Sequence, residues 1–328
     1  MAKTGIVLAV KGQKAKIALG PVRPYPSWEW IGEDTGRELS KYFDVSFFQG
    51  QSIPNADLIV FLKQHPKLHW FFSRKLRKAK FLYAPVDHYQ SENEIFRDRE
   101  FLKLSKGILI HSERLRSHLS PHHSNITYVD HHNKFGLENP PPYRDEGFIL
   151  WIGGFQYVPY VLRWWESAKP KSKLVLLSDG IAGGYPARAD ATRLARELGI
   201  DFKFQASSVN GHALYEWSAV MQQKLMSEAK AALDIKGLES FNQKTKPPTK
   251  AQKFICSGIP FAANAESYSF EYFQTRDFPL ANVEDEKYWL SKEYFEVVEK
   301  TRPAWRERLS IESVGKVWKS AIDRGLEH

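Results

Sequence analysis

The chain has 328 residues, with 47 Lys and Arg against 38 Asp and Glu, a formal net charge of +9, 42% hydrophobic residues and 26% charged ones. That length supports two ordinary domains with separate cores, and the composition excludes disorder. No run of eighteen apolar residues occurs, which excludes a membrane-spanning helix, and the positive charge favours anionic partners without choosing among them.

In chain order, the opening MAKTGIVLAVKGQ is too short and poorly flanked for a signal peptide. Expected strands in the first half are KIAL, VSFFQ, DLIVFL, KFLYAP, GILIHS and ITYV, separated by helical GEDTGRELSKYF, PKLHWFFSRKLRKA and ENEIFRDREFLKL. KFGLENPPPYRDEG, Lys134 to Gly147, carries three consecutive prolines and reads as a stiff connector, with 139–147 as the linker itself. Beyond it FILWI, KLVLLS, DFKFQ, KAALDI and IPFAAN alternate with helical YVLRWWESA, RADATRLAREL and HALYEWSAVMQQKLMSEA. The last stretch reads as helix broken near Pro303. Nearly all-apolar strands separated by helices imply parallel sheets covered on both faces. The expected fold class is therefore α/β, two doubly wound Rossmann-like domains facing each other across a cleft. Their expected bounds are 1–138, completed by the C-terminal helix 304–328, and 148–303. A single cysteine, Cys256, fits a reducing, cytoplasmic setting.

The most informative stretch is KTKPPTKAQKFICSGIPFAAN, Lys244 to Asn264. It follows the strand KAALDI, at a carboxyl end where open parallel sheets bind ligands. Thr249 is the expected N-cap, stiffened by the preceding prolines. Lys250 and Lys253 share a helical side and Lys244 and Lys246 lie on the incoming loop, so a diphosphate is expected over the helix start. The bland alternative is a solvated basic turn.

TKAQKFICSGIPFAAN resembles the donor-binding segment of GT-B-fold glycosyltransferases. Lys250 matches the family's lysine, and Gly258-Ile259-Pro260 matches its Gly-x-Pro turn. The family's two glutamates, eight apart, fall on Thr245 and Lys253. The resemblance implies a metal-independent transferase, hexosyltransferase-like, that moves a sugar from a nucleotide-diphosphate donor to a hydroxyl of a glycan or lipid-linked acceptor. It implies no cofactor beyond the nucleotide-sugar co-substrate. Gly153 and Gly154, after FILWI, stand where similar enzymes bring backbone near the donor. KGILIHSERLRSHL resembles the end of their first domain, and the C-terminal helix is expected to cross back onto that domain. The absence of an Asp-x-Asp triplet accords with metal independence.

On the acceptor side Trp28 and Trp30 are candidates to stack on a sugar, or else to form a packed interdomain lid. Glu29, between them, and the pair Asp87 and His88, after KFLYAP, are candidate acid–base groups; Asp87 alternatively caps the next helix. Six histidines lie within HSERLRSHLSPHHSNITYVDHH. Pro121 interrupts their spacing and no HExxH occurs, so no metal site is expected there, and a partly exposed loop is the favoured reading. The segment Lys63 to Lys80, with Trp70, Phe71 and Phe72 among seven basic residues, suits an anionic membrane surface or, equally, a wet basic face over a core. Without zinc-ligand cysteines, basic heptads or RNP-like strands, specific nucleic-acid binding is not expected. Two further readings stand beside the transferase: a non-catalytic nucleotide- or polyanion-binding module, and a transferase acting on nucleic acid.

Overall fold

A computed structural model describes residues 14–23, 28–50, 54–65, 78–179 and 185–327. Six parallel strands make the first sheet: β1 (Lys16–Gly20), β2 (Asp44–Phe47), β3 (Leu58–Leu62), β4 (Phe81–Ala84), β5 (Gly107–Ile110) and β6 (Ile126–Tyr128), in the order β2-β1-β3-β4-β5-β6. Its central strands are buried along their whole length, LIVFL in β3 and FLYA in β4, because helices and loops cover both faces. The order reverses between β1 and β3.

The second sheet contains β7 (Phe148–Gly154), β8 (Lys173–Asp179), β9 (Phe204–Gln205), β10 (Ser208–Val209), β11 (His212–Glu216), β12 (Ala231–Asp234), β13 (Phe261–Ala263) and β14 (Ala281–Asn282). Their order is β14-β13-β12-β7-β8-β11-β10-β9, reversing between β7 and β12. The chain is thus α/β with two doubly wound sheets. Two expectations are corrected. The sheet is not wholly parallel, since β9, β10 and β11 run antiparallel at one edge. HALYE, read as the start of a helix, is β11, paired in parallel with β8; the helix begins only at Ala219, where the Ser218 hydroxyl accepts from the Met221 N–H at 3.1 Å.

The expected break at Pro303 is also corrected. Helix Lys292–Arg308 runs through that proline, with Tyr294 and Val298 before it and Trp305 after it all buried in the second domain's core. The turn comes at Leu309 and Ser310. Helix Ile311–Glu327 then packs on the first sheet, contributing Val314, Trp318, Ala321 and Ile322 to that domain's core. Arg324 donates to the Thr127 hydroxyl at 2.8 Å, and the Lys80 ammonium bonds the Leu326 carbonyl.

Between the domains Asp130, just past β6, collects donors from both sides. Its Oδ1 accepts from Tyr272 Oη at 2.7 Å, Tyr128 Oη at 2.9 Å and Gln252 Nε2 at 3.0 Å, and Arg308 reaches Oδ2 at 3.1 Å. Arg114 spans the same seam, donating to Glu271 at 2.7 Å and to the carbonyls of Glu266 and Lys244.

Trp318 is fully buried, and its truncation to Ala should cost about 3–5 kcal/mol. Because its helix is the graft that completes the first core, Trp318→Ala should lower the melting temperature and speed proteolysis between Leu309 and Ile311. Limited digestion followed by mass spectrometry checks both.

Candidate functional site

The reversal between β7 and β12 opens a crevice outside the carboxyl ends of the strands, the position at which open α/β sheets bind ligands. A cavity of about 60 Å³ lies there, lined by Gly153 and Gly154 from β7, by Tyr157 and Tyr160, and by Asp234, Lys236 and Gly237 at the end of β12. Gln243 from the short helix Phe241–Thr245, which also carries Lys244 where a loop was expected, Lys246 at that helix's end and Lys250 in the helix Thr249–Cys256 close it. Trp151 forms an apolar wall. Four of the expected donor-site residues, Gly153, Gly154, Lys246 and Lys250, therefore meet in one place.

Small residues make the cavity possible. A Cβ on Gly237 would stand 1.9 Å from the Tyr160 ring, and one on Gly153 2.5 Å from the Trp151 indole. The helix Thr249–Cys256 is held behind it by its C-terminus. Gly258 has φ +74°, its N–H bonds the Ile255 carbonyl, and the Ile259 N–H bonds the Phe254 carbonyl, a Schellman ending that only glycine reaches cheaply. A Cβ at Gly258 would also strike Pro140 at 2.6 Å, so the proline connector leans on this cap.

Charge in the cavity is organised by Asp234, a group that sequence reasoning missed. Lys250 Nζ lies 2.7 Å from its Oδ1, and Lys236 Nζ 3.6 Å from its Oδ2. Burial alone would raise the Asp234 carboxyl, but Lys250 and Lys236 beside it hold it below its ordinary range. Lys236, also missed, is buried, which pulls its ammonium down to about 8 although Asp234 works in the other direction. The Lys246 ammonium stands 5.4 Å from the Tyr157 ring centroid and Lys250's 5.5 Å from that of Trp151. Three lysines against one carboxylate make a pocket for an anion. The sequence signal for the missed pair was DIKG, a charged turn closing an apolar strand.

Other expected site residues lie elsewhere. Thr249 is the first helical residue, not the N-cap; Pro248 precedes it, and the Thr249 hydroxyl shares a 2.7 Å hydrogen bond with His131 of the first domain. Lys253 does not line the cavity. Its Nζ donates to Gln222 at 3.2 Å and lies 5.1 Å from the Trp30 ring centroid and 6.0 Å from that of Phe135. Burial, aided by Lys250, lowers its ammonium to about 7. Thr245 turns inward and donates to the Phe241 carbonyl at 3.0 Å. Lys244 is exposed and meets the first domain only through its carbonyl. In the loop SDGIAGGYP, residues 180–184 lie outside the described residues.

On the opposite side Trp28 is 8% exposed, belongs to the first core and sits edge-on to Phe47 at 5.7 Å. It also lines a small apolar pocket with Pro21, Ile31, Leu62 and Val86, outside the reversal between β1 and β3. Trp30 stacks on His131 at 6.3 Å and packs against Phe135 at 6.0 Å, with the Lys253 ammonium of the second domain over its ring. Glu29 is exposed and 3.6 Å from Lys134. The Asp87 carboxylate pairs with Lys63 at 2.8 Å, and Ser91, not Asp87, caps the next helix. His88 is partly buried, which keeps its imidazole neutral at lower pH than usual, with His65 adding to the effect. Asn242 donates to the carbonyls of Asp87 and Tyr89 at 2.9 and 3.4 Å, so this stretch touches the residue before the cavity-lining Gln243.

The histidine-rich stretch is the partly exposed loop expected of it only in its middle, where His118, His122 and His123 are half-buried around an exposed turn at Pro121. His111, His131 and His132 are buried at the domain seam, the first two with rings 4.3 Å apart and the third 3.1 Å from Asp34. Among the described residues they form no three-ligand group. The basic aromatic stretch that carries Trp70, Phe71 and Phe72 falls within 66–77, outside the described residues. No helix among the described residues is long and apolar enough to cross a membrane.

No protein-family model matches the sequence, and no curated protein matches it. Solved structures do match in fold. The Anabaena protein Alr3699/HepE, solved in complex with UDP-glucose, superposes with a TM-score of 0.62 at 10% identity over 94% of this chain and 100% of its own. AviGT4, a glycosyltransferase involved in avilamycin A biosynthesis, gives 0.60 at 11% over 95% and 98%. A chain of the GtfA/B complex gives 0.52 at 12%, over 84% of this chain but only 58% of its own length. The likeness establishes the GT-B fold for this chain.

An ammonium held near 7 in the folded state and near 10.5 when unfolded means that the unfolded chain binds more protons between those values. Stability from this group must then rise with pH across the interval from about 7 to about 10.5. Lys253→Met should flatten that rise and stabilise the protein most near pH 7. Urea midpoints measured from pH 7 to 10 give the comparison.

Proposed function

We propose that this GT-B chain is a glycosyltransferase that moves a sugar from a nucleotide-diphosphate donor to a hydroxyl acceptor, such as a glycan or a lipid-linked sugar, without a metal at the diphosphate. The observation that carries the reading is the cavity at the β7/β12 reversal, where Lys236, Lys246 and Lys250 face bare backbone at Gly153 and Gly154. Carriage of UDP-glucose by one structural neighbour supports the donor class.

In this reading the acceptor oxygen attacks the anomeric carbon as the bond from that carbon to the β-phosphate oxygen breaks. Negative charge grows on the departing diphosphate, and the Lys236 and Lys250 ammonium groups, already fixed by Asp234, meet it without reorganisation, with Lys246 adding charge at the rim. That placement is the argument for metal independence. Of the acid–base candidates, Asp87 is the one whose backbone carbonyl is held by Asn242, next to the cavity-lining Gln243, and we assign its carboxylate the acceptor's proton. The buried, unpaired Cys256 supports a reducing compartment, hence a cytoplasmic protein. Contact with an anionic membrane through Trp70, Phe71 and Phe72 would suit a lipid-linked acceptor.

A second reading, binding without transfer, is favoured by one observation. The two positions that hold glutamates in similar transferases carry Thr245 and Lys253, and neither side chain reaches the cavity. Turnover decides between the two.

Incubation with UDP-glucose and a panel of other sugar nucleotides should release nucleoside diphosphate. Binding without release of nucleoside diphosphate from any donor would leave only the second reading. Lys246→Ala removes charge from the cavity rim without stranding Asp234, so it should weaken nucleoside-diphosphate binding about tenfold with an unchanged melting temperature; calorimetry and thermal shift separate the two. Asp87→Asn should lower kcat by about 10²–10⁴-fold while leaving the donor KM unaltered, as expected of a lost general base. An unchanged kcat would remove Asp87 from that role.

A further inference from the structure

Away from the diphosphate cavity, the loops after β3 and β4 bring together three side chains to which neither the donor site nor the proton step assigns a task. His65 follows β3, where Lys63 takes a left-handed turn at φ 62° and the Tyr83 hydroxyl donates to the Lys63 carbonyl. His88 follows β4. Asp98 sits at the junction of helices Glu92–Arg97 and Arg99–Leu104, flanked by both and capping neither with its side chain. His65 Nε2 stands 2.8 Å from Asp98 Oδ2, and one ligand atom from each of His65, His88 and Asp98 lies within 4.8 Å of the others. Among the described residues no other set of three histidine, cysteine or carboxylate groups converges in this way.

We propose that His65, His88 and Asp98 bind a divalent transition-metal ion, with zinc the best fit. Two imidazoles and one carboxylate are borderline ligands that suit zinc and leave a fourth position open for water. With metal–ligand bonds of about 2.0–2.1 Å, tetrahedral ligand atoms stand about 3.3 Å apart. His65 and Asp98 stand 2.8 Å apart and all three ligand atoms lie within 4.8 Å of one another, so small side-chain adjustments close the site.

The surroundings favour the same assignment. The His65 ring is fixed by stacking on Phe101 at 4.7 Å and lies edge-on to Tyr83 at 5.9 Å, so its orientation is set before an ion arrives. The side chains of His65 and Asp98 keep 19% and 17% exposure, enough for entry. The neighbouring Lys63 ammonium is paired with Asp87 at 2.8 Å, which offsets its repulsion of a cation. A bound ion ties the post-β3 loop, the post-β4 loop and the helix pair into one unit. That unit includes the Asp87–Tyr89 stretch to which Asn242 of the second domain is bonded. The ion's place is therefore a staple under the first-domain side of the cleft, separate from the lysines that meet the diphosphate.

Equilibrium dialysis against Zn²⁺ alone, with Co²⁺ as the spectroscopic stand-in, tests the site. The wild-type chain should take up a single Zn²⁺ and give the visible bands of four-coordinate Co²⁺. His88→Gln and Asp98→Asn should each weaken uptake by about tenfold or more and lose the bands. Variants that bind like the wild type overturn the proposal. A measurement that needs no variant is diethyl pyrocarbonate labelling: Zn²⁺ should protect His65 and His88 and leave His118 unchanged. Labelling of His65 and His88 at the same rate with and without Zn²⁺ also overturns it.

Discussion

Asp234 ends an apolar strand with only 3% of its side chain exposed, and it remains charged there because Lys250 closes on one oxygen at 2.7 Å while Lys236 stands 3.6 Å from the other. A lone buried carboxylate would neutralise itself or destabilise the fold by several kcal/mol. The pairing reverses that cost and has a second effect. It pins two long, flexible lysines at the reversal of strand order, where the glycines of β7 leave backbone uncovered. The positive charge of this cavity follows from the local arrangement of Lys236, Lys246 and Lys250 more than from the net charge of the chain. Partnering also limits what can be changed: removing Lys250 alters the charge of the cavity and the solvation of Asp234 together, whereas Lys246 bears on the cavity alone.

The same logic governs the seam between the domains. Asp130 accepts from two tyrosines and a glutamine and meets an arginine, so each sidedness of the interface is written into one carboxylate. Around it run Arg114, the His131–Thr249 bond, and Asn242 on the Asp87 carbonyl. These contacts join the first domain to the very segments that line the lysine-rich cavity. Polar, directional and few, they suit surfaces that separate and return, unlike the two apolar cores they divide.

Much of this architecture was legible in the residues. Runs such as LIVFL and FILWI, apolar along their whole length, can only be strands covered on both faces, and the helices between them complete the inference. Gly258 and Pro260 marked the end of the anion-facing helix because the left-handed turn there demands glycine. HALYE escaped because an alternating strand edge and an amphipathic helix overlap over five residues, and only pairing with β8 decides. Lys253 escaped for a geometric reason. Residues three apart on a helix point about 60° from one another. That divergence sends Lys250 to Asp234 and Lys253 into an aromatic enclosure of Trp30 and Phe135. Asp234 and Lys236 were hidden because an opposite-charge pair at a strand end looks like any wet turn. The set His65, His88 and Asp98 was hidden more deeply, since its members sit on separate elements and only the sheet brings them side by side.

The helix Ile311–Glu327 places part of the first domain's interior at the far end of the polypeptide. On a ribosome, strands β1 to β6 emerge long before Val314, Trp318 and Ile322 do, and at about 5–20 residues per second the wait is on the order of ten seconds or more. Throughout that time the face of the sheet destined for Trp318 is covered only in part, by Trp28, Ile31, Leu39 and Phe43. The second domain, whose strands and covering helices are contiguous, can be finished first. Maturation of this chain therefore runs against the order of its synthesis: the half that leaves the exit tunnel first is the half completed last.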